Sequence, residues 1–366
     1  MSPFLVGYFN LMKSVLGSGL VTYPYLFTIN GVVPTVILTL ISAFFSAQGL
    51  LIYLKLNHMK NKTMSTLTDS KRIKLFVNTI IVMKCVSVTL SYVVMIREIF
   101  HNICDRVNVH CPNVLFIAFV LVTMPISTFK QFSKLRFTSF LGIVATCIMV
   151  LATLWRLYSK QPQGSIALYK KIDYNTLGSY VYTFTCHQNI FSFQNECFMS
   201  LNQCYSVILC TVASCILLYF VFGLSNAYLF SIGPKFFDSL YDDKITLVMQ
   251  ACFLVMVTFS IPLQLNAAQL YLNITASRYR MAFVSTVVII SIAIALLEIS
   301  FNTILSLIGG TVSSLMCFII SGFYYILIGD RKNKLWFFNA VFTLIFGILI
   351  LAATAYTMFA LVMRKL

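Results

Sequence analysis

Apolar stretches long enough to cross a bilayer recur along this entire chain, and two of them are interrupted where the middle of the membrane would fall. The first, residues 4–30, carries Gly17-Ser18-Gly19 with Pro24 beyond it. The second, residues 179–200, carries the polar run Thr185-Cys186-His187-Gln188-Asn189. In hydrocarbon every backbone N–H and C=O must find a partner, so unwound backbone persists only where protein buries it or where it lines a cavity. A matched pair of interrupted helices points to the central binding site of a carrier for a small polar solute.

Residues are 59% hydrophobic and 10% charged, with a mean hydropathy of +0.89, which excludes a water-soluble globule. Eleven spans are expected, at 4–30, 32–56, 74–99, 113–130, 137–158, 179–200, 204–232, 245–272, 281–298, 302–328 and 335–362. At ~1.5 Å of rise per residue most of them can cross a core of ~30 Å. The first begins close to Met1 but is too long for a signal-peptide core and lacks a cleavage pattern. The polar stretches between spans are too short for a second domain, so 1–366 reads as one all-α polytopic membrane domain.

The net charge of +16 is distributed as membrane topology requires rather than as a nucleic-acid footprint. With the N-terminus in the cytoplasm, cytoplasmic segments hold 14 Lys/Arg and the opposite side ten, with seven of the ten acids on that opposite side. The asymmetry favours a cytoplasmic N-terminus, with basic loops held against anionic lipid and no nucleic-acid partner. Of the eleven cysteines, Cys85, Cys147, Cys210, Cys215, Cys252 and Cys317 fall within spans and read as small buried hydrophobes. Cys104 and Cys111 share one non-cytoplasmic loop and could pair if that compartment oxidises. The glycosylation patterns at Asn61 and Asn273 both face the cytoplasm in this topology. No metal-ligand spacing and no paired midplane carboxylates occur, so no metal, no cofactor, no catalytic residue and no enzyme is expected.

Gly17 and His187 are 170 residues apart, with five spans to each unit. An odd number of spans makes the second unit enter the membrane from the other side. Residues 4–158 and 179–328 would then be inverted repeats, with 335–362 appended.

A half-helix that ends inside the membrane leaves N–H groups open at one end and C=O groups at the other. The first suits a carboxylate, the second an ammonium or cation. Gly17, Ser18 and Gly19 fit the carboxylate role, because glycine lets a solute approach the backbone and Ser18 adds a hydroxyl. They could equally serve close helix packing. Thr185, Cys186 and His187 supply carbonyls and hydroxyl for the other pole. His187 is either a proton carrier or gate, or a neutral ring tying unwound backbone together. Lys13, one turn before the first break, would face the bundle as a fixed cation in place of a metal ion or as a proton donor. Lys84 in the third span is a second ionisable candidate, and Glu196 is either a buried partner or an interfacial carboxylate.

The run Phe184-Thr-Cys-His-Gln-Asn-Ile-Phe-Ser-Phe-Gln-Asn-Glu196 resembles the sixth-helix motif of the amino acid/auxin permease family, most closely its fungal vacuolar form. Asn10-Leu-Met-Lys-Ser-Val-Leu-Gly-Ser-Gly19 with Pro24 resembles the first-helix motif, and Ser91-Tyr92, Ser260-Ile-Pro262 and Gly309-Gly-Thr311 follow in matching order. The resemblance implies a LeuT-like five-plus-five inverted repeat plus an eleventh helix, and amino acids as the solute. It also implies Tyr92 as a pocket residue. The family's sodium-coupled branch places an asparagine where Lys13 stands and a threonine in the eighth helix, where this chain has Thr258 or Ser260. An ammonium beside Na⁺ is repulsive, so the coupling residues Lys13, His187, Thr258 and Ser260 suit proton coupling or sodium-independent exchange better.

The expectation is a secondary active transporter of amino acids, neutral ones, working by alternating access as a monomer in the vacuolar or plasma membrane. A membrane-embedded amino acid sensor with the same fold is the alternative.

Overall fold

Long apolar runs separated by short polar loops give helices throughout: among the residues described by the computed structural model, 2–60, 64–128, 136–197 and 199–363, there is no strand. Asn61, Lys62, Lys130, Lys134, Arg364 and Lys365, named above for glycosylation or counted in the charge balance, lie outside the described residues, as does the side chain of Glu196.

The helices are α1 (Pro3–Val15), α2 (Tyr23–Asn30), α3 (Val32–Lys60), α4 (Lys71–Arg106), α5 (Pro112–Thr123), α6 (Arg136–Ser159) and α7 (Leu177–Thr183). They continue as α8 (Ile190–Cys197), α9 (Leu201–Leu229), α10 (Lys244–Tyr271), α11 (Ser277–Ala295), α12 (Phe301–Ile308), α13 (Ile320–Ile328) and α14 (Lys334–Met363). Between α12 and α13 the helix widens into π turns at Gly309–Ser313 and Leu315–Ile319, so that 301–328 is one span.

Eight described helices are long and apolar enough to cross a membrane, and the pair α1–α2, bent by 46°, makes a ninth. Eleven spans were expected. The two remaining regions fall short for identifiable reasons. Residues 179–200 divide into α7 and α8, seven and eight residues long, because the polar run separates them. Residues 113–130 contain the 12-residue α5 and then a 3₁₀ turn, Met124–Thr128, where Pro125 brings no backbone N–H to continue an α-helix.

Two groups of helices assemble around the breaks. One is a scaffold in which α4 packs along α10 and α11, and α10 along α6. In the other, α1, α2 and α3 pack on α9, while α7 and α8 lie against α3. The outside is apolar: α14 exposes Phe338, Phe342, Leu349 and Phe359. The inside is polar in places, with Asn30, Thr39, Ser46, Lys84, Ser91 and Asn226 all buried. An apolar exterior around buried polar groups is the arrangement that suits lipid as solvent.

Cys147 and Cys210, expected inside the core, are exposed instead: both lie on outward faces, where a thiol sits as readily as another small apolar group. Cys104 is buried and Cys111 exposed, and both thiols are free. At the end of the bundle that holds these two residues, Arg97 pairs with Glu298 at 2.6 Å and Arg106 with Asp242 at 2.9 Å. Arg156, fully buried, pairs with Asp243, whose side chain also caps α10 through the Thr246 N–H.

Two glycines let α7 and α12 touch backbone to backbone. A Cβ on Gly178 would collide with the Ser306 carbonyl, and one on Gly309 with the carbonyl of Gly178.

Candidate solute-binding site

The first break is made by the residues that the sequence singles out. α1 ends at Val15, the Leu16 N–H returning to the Met12 carbonyl at 2.8 Å and the Gly17 N–H to the Val15 carbonyl at 2.8 Å. A 3₁₀ turn, Leu20–Thr22, then leads into α2, where Pro24 sits in the first turn and displaces no hydrogen bond. Among the described hydrogen bonds, the N–H groups of Ser18 and Gly19 have no acceptor. They form the donor end of the second half-helix.

The second break opens after Thr183. The Phe184 N–H reaches the Val181 carbonyl at 3.3 Å and the Thr185 N–H the Tyr182 carbonyl at 3.0 Å, after which a 3₁₀ turn at His187–Asn189 starts α8. The two breaks touch. A Cβ on Gly19 would lie 2.7 Å from Thr183 Cγ2 and 3.1 Å from Thr183 Cα. The Asn189 side-chain amide, on the turn that leads into α8, donates to Ser14 Oγ at 2.5 Å and ties that turn to α1.

Tyrosine hydroxyls connect the breaks to the scaffold. Ser91 Oγ donates to the Val88 carbonyl at 2.8 Å, so its proton is committed. The Tyr182 hydroxyl, 3.1 Å from Ser91 Oγ and 2.9 Å from Ser18 Oγ, therefore donates to Ser91 and accepts from Ser18. Ser260 Oγ likewise gives its proton to the Met256 carbonyl at 2.7 Å, and the Tyr92 side chain has Ser260 among its neighbours. The Tyr92 hydroxyl stands 2.8 Å from where a Cβ on Gly17 would be. From α9, the Tyr219 hydroxyl lies 3.0 Å from the Val15 carbonyl and 2.8 Å from that of Thr183, the last residues of the two half-helices α1 and α7. Tyr219 stacks on Tyr23 at 4.5 Å between ring centroids.

The residues singled out in the sequence thus fall into two groups. Gly17, Ser18, Gly19, Tyr92 and Ser260 gather at the first break, with Ser91, Tyr182, Thr183 and Tyr219. Thr185, Cys186 and His187 face elsewhere. His187 Nε2 lies 3.1 Å from the Ser46 carbonyl on α3 and therefore carries the ring proton, leaving a buried Nδ1 with no partner. Gly49 makes room for that ring: a Cβ there would lie 2.8 Å from Nε2. Thr185 Oγ1 donates to the Val181 carbonyl at 2.9 Å and accepts from the Cys317 thiol at 3.8 Å. Lys84, fully buried, has Cys186, Cys317 and His187 as its electrostatic neighbours.

Lys13 is buried and packs its Cε against Gly142 of α6, 3.1 Å from where a Cβ would be. Thr258 is buried with its hydroxyl unpartnered, and Pro262 four residues on removes the N–H that would otherwise meet its carbonyl. Sequence reasoning passed over Tyr182 and Tyr219, which look like ordinary aromatic core in an apolar span. Gln188, named in the sequence only as part of the polar run, is a buried amide with neither polar atom partnered among the described residues.

The model of the family described as "Transmembrane amino acid transporter protein" matches residues 2–360. The chain is similar to vacuolar amino acid transporter 5 of Schizosaccharomyces pombe, 25% identical over 88% of this chain and 84% of that one. Two Saccharomyces cerevisiae proteins also match. Vacuolar amino acid transporter 7 is 27% identical over 51% of this chain and 41% of its own, and vacuolar amino acid transporter 6 is 23% identical over 72% and 64%. For these two, the alignment spans less than two thirds of the relative's own length. A family model that covers nearly the whole chain, on a helical membrane fold with two abutting helix breaks, assigns this protein to the transmembrane amino acid transporter family.

Proposed function

We propose that the protein is a secondary active carrier of neutral amino acids that works by alternating access, without sodium, and with a proton as its coupling ion. Its architecture is the LeuT-like five-plus-five inverted repeat with a further helix, and its N-terminus faces the cytoplasm. The names of its relatives support residence in a vacuolar membrane.

The observation that carries this reading is the meeting of unlike helix ends. Open N–H groups at Ser18 and Gly19 follow directly on the carbonyl end of α1 at Val15, and Gly19 lies against Thr183, the carbonyl end of α7. A zwitterion fits such a pair: its carboxylate takes the N–H groups and its ammonium the carbonyls. In this reading the ammonium meets Val15 and Thr183 rather than Thr185–His187, because the polar groups of the latter are turned to α3 and Cys317. Tyr92 closes one side of Gly17. No described carboxylate lies at either break to receive a basic side chain, which favours neutral solutes.

Lys13 and Thr258 are the coupling residues of this reading. A buried lysine beside α6 holds a positive charge without a metal ion and releases it when its proton leaves. Purified protein in liposomes, given labelled amino acids under separate pH and sodium gradients, tests the proposal. Uptake should follow the pH gradient and ignore sodium. Strict dependence on sodium contradicts the assignment of Lys13, and absence of any uptake or exchange contradicts the carrier.

A further inference from the structure

The Tyr219 hydroxyl has one proton and two carbonyls within reach, at 3.0 Å and 2.8 Å. Those carbonyls close α1 and α7, which belong to the two different breaks. The Val15 carbonyl also receives the Gly17 N–H, whereas the Thr183 carbonyl has no other described donor. An ammonium brings three protons to the same place and satisfies both acceptors at once. The bonds of Tyr219 and an amino acid's ammonium are therefore alternatives.

We propose that Tyr219 is a positioning residue that substitutes for the substrate ammonium, letting the site close on itself so that the carrier returns without cargo. This rests on the carrier reading above and adds a mode of operation: net transport rather than obligatory exchange. A buried carbonyl without a donor is costly, so a carrier that lacked this hydroxyl would close readily only around a substrate. The ring is held for the role. It is fully buried, stacked on Tyr23, and packed edge-on against Phe184 at 5.5 Å. The neighbouring chain from Ser18 through Tyr182 to Ser91 also ties the first break to α7 and α4, here by side chains alone.

The test compares net uptake into empty liposomes with exchange into liposomes preloaded with an equimolar mixture of the standard amino acids. In Tyr219→Phe, net uptake should fall about tenfold further than exchange does, the factor that follows from leaving one buried carbonyl without its donor on the empty return alone. Equal loss of both, or no loss of either, overturns the proposal. If the unmodified protein neither accumulates nor exchanges amino acids, it is the carrier reading that fails. A second measurement does not need transport. The rise in melting temperature on adding the same mixture should be larger in Tyr219→Phe, because the ammonium then supplies a bond that is missing rather than replacing one. An equal or smaller rise overturns the proposal as well.

Discussion

The Tyr92 hydroxyl occupies the space that a side chain on Gly17 would need: a Cβ there would stand 2.8 Å from it. The tyrosine cannot retreat freely, since its ring is buried on α4 within the packed core. Gly17→Ala should therefore strain the first break by about 1–3 kcal/mol, the usual range for overpacking, and depress uptake at least tenfold. Tyr92→Phe removes the atom in the way. In the double variant uptake should recover relative to Gly17→Ala alone, and strict additivity of the two losses in a double-mutant cycle would argue against the contact.

Lys13→Ala should uncouple transport from the pH gradient. The expected outcome is residual exchange of amino acids with loss of uphill accumulation, because the buried cation beside Gly142 is no longer there to release and regain its proton. Uptake and its pH dependence, measured together in liposomes, decide this. Unchanged behaviour would reduce Lys13 to a packing residue.

Lys84 is buried near the second break, and no carboxylate pairs with it among the described residues. A buried charge without a counter-charge costs stability, and functional sites are where such costs persist. Lys84→Met should raise the melting temperature of the detergent-solubilised protein while lowering transport. A fall in both would mark the lysine as structural.

Acid should loosen the far end of the scaffold. Burial acts first to raise the Asp243 carboxyl, but the Thr246 N–H and the Arg156 guanidinium outweigh it and hold the group below the usual carboxylate range. A carboxylate whose folded pKa is depressed contributes stability that is present above its unfolded pKa and lost as pH falls through the folded one. The melting temperature should accordingly drop as pH falls below about 4, and less steeply in Asp243→Asn. At neutral pH that substitution should cost about 2 kcal/mol, less than a fully buried pair would, because the Asp243 side chain is 26% exposed. Glu298, held low by its hydrogen bond from Arg97 but 72% exposed, should contribute much less.

The breaks were legible in the sequence because lipid forbids what they contain. Gly17-Ser18-Gly19 and the run from Thr185 to Asn189 cannot continue a helix in hydrocarbon without partners. The partners were not legible. Tyr182 and Tyr219 sit in apolar runs where an aromatic residue is unremarkable, and only the fold reveals that their hydroxyls reach Ser18, Val15 and Thr183. His187 illustrates the converse: its polarity drew attention, yet its ring turns to the Ser46 carbonyl, a contact 141 residues away in sequence. Span lengths misled at 113–130, where hydropathy runs on past Thr123 but Pro125 stops the α-helix.

The glycine contact between α7 and α12 has a mechanical consequence. With Gly178 and Gly309 pressed backbone to backbone, the short helix before the second break is keyed to the span at 301–328, while the turn into α8, after that break, is fastened by Asn189 to Ser14 of α1. The interrupted span is thereby held on both sides of its break, by the span at 301–328 before it and by α1 after it. Between those two attachments the peptide units from Phe184 to Cys186 are the only non-helical link. Ser46 of α3 clasps that link at both ends, through the Phe184 carbonyl and the His187 ring, so that any pull on one half-helix would reach α3 before it reached the other.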